Sequence, residues 1–197
     1  MILNDKNIRS ALVKKYSSNI DTEIWPEYMM QFDNKFGLVR ADLVVINGHL
    51  TGFEIKSDLD SVHRLPKQIL GYDRLFDYNY LVVGQKLYDK AVDLLPQHWG
   101  IIVATHYKNG NVKLYTERSA KINPNDTFKY YFNRISAPDF KKDVLPLLTS
   151  KEELKVLKTW PKSAVIEKYY NSIEFTKRNL IKKIVRNSIK KRVRSFN

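Results

Sequence analysis

No cysteine occurs among the 197 residues, which excludes a disulfide scaffold, thiolate catalysis and cysteine-ligated zinc or iron–sulfur chemistry. Long apolar runs are missing too. The longest, Leu43-Val44-Val45-Ile46 and Ile101-Ile102-Val103-Ala104, fall far short of the roughly 18 residues a membrane span needs. The opening Met1-Ile2-Leu3-Asn4-Asp5-Lys6 has no basic region followed by a sustained apolar one, so no secretory signal is expected and the implied location is cytoplasmic. The four histidines, His49, His63, His98 and His106, have no metal-ligand spacing such as H-E-x-x-H. No glycine-rich phosphate loop and no persuasive Ser-His-Asp arrangement is found. Acidic residues number 21 against 34 basic ones, a formal charge of +13, and such a balance favours a polyanionic partner, nucleic acid or an anionic membrane surface. With 43% hydrophobic and 12% aromatic residues, the chain has enough apolar surface for one ordinary core and an appendage.

The positive charge is concentrated at one end. From Lys162 to Asn197 eleven basic residues stand against Glu167 and Glu174, which accounts for +9 of the +13. Tyr169, Ile173, Leu180, Ile181, Ile184 and Val185 recur near three- and four-residue spacings, a helical pattern with one face to bury and one left cationic. Ser150, followed three residues later by Glu153, forms a capping box opening a short helix through Leu157, and Trp160-Pro161 breaks it. The chain therefore reads as an α/β core over residues 1–137 and a helical, basic C-terminal extension over 138–197.

Within the core the pattern predicts an amphipathic helix over 5–16, with Ile8, Leu12 and Val13 on one side. β-like segments follow over 24–32, 38–46 and 50–56, and Asn47-Gly48 signals a hairpin between the last two. A helix over 64–76, a strand over 80–84, a helix over 87–95 and a strand over 100–105 come next. Asn109-Gly110 marks a turn before a last strand at 112–115. The order is α-β-β-β-α-β-α-β-β, an α/β layer with a mixed sheet.

The hairpin carries the chemistry. Arg40-Ala41-Asp42 lies on its first strand and Phe53-Glu54-Ile55-Lys56 on its second. Carboxylates and a lysine inside apolar strands need each other, a cation or solvent. Alternation puts Glu54 and Lys56 on one face with Ile55 opposite. Hard oxygen ligands converging on one magnesium ion, with an ammonium group beside the water or phosphate, suit that arrangement; a surface hairpin with the same groups facing water has the same spacing. Register decides whether Asp42 joins Glu54. A two-residue turn pairs 42 with 53 and separates them, whereas a three-residue loop pairs 42 with 54, as would a bulge, for which Gly52 is the natural place. Downstream, Arg64, Gln68 and Tyr72 recur every fourth residue and form a polar stripe on one helix, with Leu65, Ile69 and Phe76 inward.

Taken together, Arg40-Ala41-Asp42, Glu54-Ile55-Lys56-Ser57 and Gln68-x-x-x-Tyr72 resemble the PD-(D/E)XK nuclease superfamily, in its Q-x-x-x-Y branch of RecB-type and phage λ exonuclease-type nucleases. The string from Arg40 to Gly84, with Arg64-Leu65-Pro66 and His98-Trp99-Gly100, is similar to a group of small bacterial and phage proteins within it. The resemblance implies a restriction-endonuclease-like α-β-β-β-α-β core and Mg²⁺- or Mn²⁺-dependent hydrolysis of DNA, with RNA the other candidate substrate. It implies that Asp42 and Glu54 ligate the cation, with the Ile55 carbonyl and either Glu27 or Glu23 completing the set. Lys56 would position the attacking water, and Gln68 and Tyr72 would orient the reacting groups. Ala41 stands where the namesake proline would be. Arg64 beside the site, and Lys177, Arg178, Lys182, Lys183, Arg186, Lys190 and Lys191 of the tail, are the expected phosphate contacts; the tail could equally clasp the core or join a homodimer.

Overall fold

The computed structural model describes residues 2–32, 37–107 and 110–196. The chain divides into two compact units, 1–125 and 126–197. This division precedes the expected 137/138 boundary, because Phe128, Tyr131 and Phe132 are buried on a helix that packs against the C-terminal one.

In the first unit, α1 (Asp5–Ser17) is opened by the Asn4 side chain, which accepts from the Asn7 N–H. The strands β1 (Glu23–Gln31), β2 (Leu38–Ile46) and β3 (Leu50–Lys56) follow, then α2 (Leu65–Leu75), β4 (Tyr78–Gly84), a 3₁₀ turn at Gln85–Leu87, α3 (Tyr88–Val92), β5 (Gly100–His106) and β6 (Val112–Arg118). All six strands form one mixed sheet in sequential order. Pairings β1–β2, β2–β3 and β5–β6 are antiparallel, while β3–β4 and β4–β5 are parallel across α2 and α3. The expected element order is met throughout; of the Asn109-Gly110 turn, Asn109 lies outside the described residues and Gly110 has φ 84°.

One face of the sheet is covered by α1. Ile8 and Leu12 are fully buried against Leu43, Val45, Phe53, Ile55, Val82 and Ile102. Gly52, Glu54 and Lys56 alternate to the opposite face, where α2 lies. The connection between α2 and β4 comes so close that a Cβ on Gly52 would sit 2.4 Å from the Phe76 ring. Gly52 therefore accommodates a packed aromatic ring and marks no bulge, since the register runs unbroken through Val44↔Gly52. Gly52→Ala is expected to cost about 1–3 kcal/mol by overpacking, read as a lower denaturant midpoint at unchanged slope.

The second unit is helical. It comprises α4 (Phe128–Arg134), α5 (Ala137–Asp139), a π turn at Phe140–Val144, α6 (Leu145–Leu148), α7 (Lys151–Leu157), α8 (Lys162–Tyr169), a 3₁₀ turn at Tyr170–Ser172 and α9 (Phe175–Phe196). Ser150 caps α7 by accepting from the Glu153 N–H at 3.3 Å. The Glu153 carboxylate accepts from Thr149 Oγ1 at 2.8 Å. The buried stripe of α9 is Ile181, Val185, Ser188, Ile189 and Val193, while Leu180 is exposed. Among the described residues no helix is long and apolar enough to cross a membrane.

Candidate functional site

The β2–β3 hairpin turns through a three-residue loop, 47–49, because Ile46 pairs with Leu50. That register brings Asp42 level with Glu54, the condition set by the sequence. Backbone pairing stops at Leu43↔Phe53, and side chains take over beyond it. The Ile55 N–H donates to Asp42 Oδ2 at 2.7 Å, and the Asp42 N–H donates to the Tyr72 hydroxyl at 3.3 Å. That hydroxyl lies 2.8 Å from Glu54 Oε2 and 3.0 Å from the Phe53 carbonyl, either of which accepts its one proton. The strands thus fork where the two carboxylates stand, and α2 spans the fork through Tyr72.

Glu54 and Lys56 are 1% and 4% exposed, so a hairpin with these groups facing water is excluded. Lys56 Nζ donates to Glu54 Oε1 at 2.5 Å. Burial, and next the neighbouring Asp42 charge, push the Glu54 carboxyl up to about 7. Burial likewise raises Asp42, opposed by the Ile55 N–H and by Lys56 and Arg9. Tyr72 is fully buried and its hydroxyl is pushed well above the ordinary value by desolvation and the Glu54 charge.

A cleft of about 560 Å³ opens over these groups. Its lining includes Glu27, Arg40, Asp42, Glu54, Ile55, Lys56, Arg64, Lys67 and Gln68. Arg64 and Lys67 are exposed at its rim. Gln68 Oε1 is buried with no hydrogen-bond partner. Glu27 lines the cleft, whereas Glu23 pairs with Ile46 at the far end of β2, beside the hairpin turn. Glu27 has φ 54°, a left-handed backbone that few residues other than glycine adopt and that costs about 1–3 kcal/mol. The flanking pairs Pro26↔Leu43 and Tyr28↔Ala41 place it opposite Asp42, where the ladder is interrupted.

Two residues of this cluster escape a reading of the sequence. Arg9 of α1 reaches over β1 and β2, its Nη2 3.0 Å from Asp5 Oδ1, 3.0 Å from Glu27 Oε1 and 3.7 Å from Asp42 Oδ1. It also donates to the Asp42 carbonyl. The Asp5–Arg9 spacing is the local signal of a helical ion pair, but nothing local tells where that pair points.

The groups that could hold a hard divalent cation are oxygen donors. Asp42, Glu54 and the Ile55 carbonyl offer oxygen, Gln68 Oε1 lacks a protein partner, and two desolvated carboxylates raise each other's proton affinity, a repulsion a dication relieves. Glu27 is already engaged by Arg9 and, at 2.6 Å, by Arg40. Among the described residues no group of three or more His, Asp and Glu side chains is placed to hold a metal ion.

The cations expected to line a phosphate track on α9 separate into two sets. Lys177, Lys183 and Lys191 are exposed and Arg186 half-buried. Arg178 instead bonds Asp126 at 3.3 Å and lies 5.1 and 5.4 Å from the Phe128 and Tyr170 rings. Lys182 donates to Thr127 Oγ1 at 2.7 Å and stands over Tyr131, and Lys190 is buried. Arg178 and Lys182 are drawn inward by acceptors and aromatic faces within their own unit, which charge counting does not register.

Residues 5–197 match the family model described as bacteriophage P4 protein cII. No curated protein and no solved structure matches the chain.

Proposed function

We propose that this chain, which belongs to the bacteriophage P4 protein cII family, is a divalent-metal-dependent deoxyribonuclease with a restriction-endonuclease-like α-β-β-β-α-β core. The observation that carries the reading is the three-residue hairpin loop, which sets Asp42 level with Glu54 beside Lys56 in one polar cleft.

Asp42, Glu54 and the Ile55 carbonyl would hold Mg²⁺ or Mn²⁺, and the ion would supply a water of lowered pKa and charge stabilisation at the phosphate. The rest falls to the chain. Tyr72 holds Glu54 through the contact of its hydroxyl with Oε2 and fixes Asp42 by accepting its N–H. Lys56 donates to Glu54 in the resting protein and offers its ammonium to the charge that develops on the phosphate. Gln68 Oε1 has lone pairs free to accept from the attacking water. Arg64 and Lys67 at the rim attract the backbone of the nucleic acid.

The test is cleavage of supercoiled plasmid, linear duplex and single-stranded oligonucleotide with Mg²⁺ or Mn²⁺, and with EDTA as control. Metal-dependent cutting is expected, and the preferred substrate separates attack at ends from attack within the chain. Binding without cutting on every substrate favours a second reading, a non-catalytic nucleic-acid-binding module. Its specific support is Arg9, which already neutralises part of the carboxylate cluster.

For α9, replacing Lys177, Lys183 and Lys191 by serine is expected to weaken duplex binding and reduce the slope of log affinity against log salt by about 2–3. Fluorescence anisotropy over a salt series measures it. An unchanged slope removes α9 from the interface.

A further inference from the structure

Arg9 is built into the wall of the cleft. Its side chain is 19% exposed and it ties together three elements, α1 through Asp5, β1 through Glu27 and β2 through both the carbonyl and the carboxylate of Asp42. The Asp42 carbonyl falls where the β1–β2 ladder is interrupted, and the guanidinium supplies the donor there. Nε and Nη2 both engage Asp5, at 3.0–3.1 Å, so the group is held from behind by its own helix while it faces the carboxylates. Asp42 thus owes its orientation to the Ile55 N–H on one side and Arg9 on the other.

The geometry points to Arg9 as the resident counter-cation of the site: it holds Asp42 and Glu27 in place while no divalent ion is present, and it competes with that ion for them, so that it sets the site's metal affinity. This rests on the metal-dependent reading above. Two consequences follow from its charge and its shape. Its positive charge opposes entry of a second cation, and loss of one unit charge beside the carboxylates is worth about a factor of ten for a doubly charged ion even at the dielectric constant of water. Its planar fork orients several acceptors at once, which a lysine ammonium on a flexible stem does not reproduce. Arg9 is therefore a positioning residue, acting through Asp42.

The experiment is a Mn²⁺ titration of the full chain followed by electron paramagnetic resonance, on unaltered, Arg9→Gln and Arg9→Lys proteins, with a thermal melt of each. Arg9→Gln is expected to bind Mn²⁺ about tenfold more tightly and yet cleave more slowly, because Asp42 loses its second anchor. Arg9→Lys, which keeps the charge, is expected to bind Mn²⁺ within about twofold of the unaltered protein and to show the same slow cleavage. Should Arg9→Gln fail to fold, the side-chain Nε–H resonance of Arg9 in the unaltered protein, assigned by its loss in Arg9→Lys, is expected to move on saturation with Mg²⁺. Equal or weaker Mn²⁺ binding by Arg9→Gln, or an Nε–H resonance that stays fixed at saturation, overturns the inference and leaves the nuclease reading standing. No Mn²⁺ binding by the unaltered protein overturns both.

Discussion

Asp42→Ala and Lys56→Ala proteins are expected to bind duplex DNA as the unaltered protein does and to cleave it on the order of 10³-fold more slowly. The two fail for different reasons. Without Asp42 the Ile55 N–H loses its acceptor and Arg9 loses its contact with the carboxylate on β2, so the fork between β2 and β3 is no longer braced. Without Lys56 the site keeps its oxygen donors and loses the ammonium that meets the developing charge. Glu54 then rises further, because Lys56 is one of the groups holding its carboxyl down. Single-turnover cleavage with Mg²⁺, paired with anisotropy on the same duplex, separates catalysis from binding. Undiminished cleavage by either variant removes that residue from the reaction.

The metal-free protein is expected to lose stability as pH rises from about 4.5 to about 7, by an amount on the order of 3 kcal/mol that Glu54→Gln abolishes. The sign follows from proton counting. Glu54 has an ordinary value of 4.5 and is raised to about 7 in the fold. Between those values the folded chain holds a proton that the unfolded chain has released, so alkali favours unfolding across the window. Asp42, raised in the same direction, adds to the slope. Asp126 and Asp139, whose carboxyls are lowered, contribute stability that is lost as pH falls, so the informative quantity is the difference between the unaltered and Glu54→Gln proteins. Denaturant midpoints from pH 5 to pH 8 measure it. Parallel pH profiles for the two proteins would show that Glu54 does not keep its proton in the fold.

Much of the first unit was legible because its signals are local. Asn47-Gly48 announced the hairpin, the alternation of Phe53, Glu54, Ile55 and Lys56 settled which side chains share a face, and the need for either a three-residue loop or a bulge followed from that alternation alone. What stayed hidden depends on contacts between elements distant in sequence. Gly52 gave the signature of a bulge, and only the approach of Phe76 reveals why no side chain fits there. Glu27 and Glu23 are equivalent on paper, and the pairing of β1 with β2 sets one in the cleft and the other at the hairpin turn. Arg9 sits 33 residues from Asp42, and no pattern on α1 points across the sheet. The tail erred in the opposite sense: its charges were easy to count, but Arg178 and Lys182 are engaged by the rings and acceptors of residues about 50 positions earlier.

The loop at 47–49 gives this fold an unusual lever. It lies five residues from Asp42 along β2, about 17 Å at strand spacing, and touches none of the reacting groups. Yet it works like the first tooth of a gear: whichever residue meshes at the turn dictates the partner of every residue down the strand. Losing one residue there would bring 42 opposite 53 and turn one carboxylate toward the α1 core. Drift in that loop's length is thus constrained by events at the opposite end of the hairpin, and a relative with a shorter turn would have to recover the lost phase with a bulge between the turn and the carboxylates, or surrender the site.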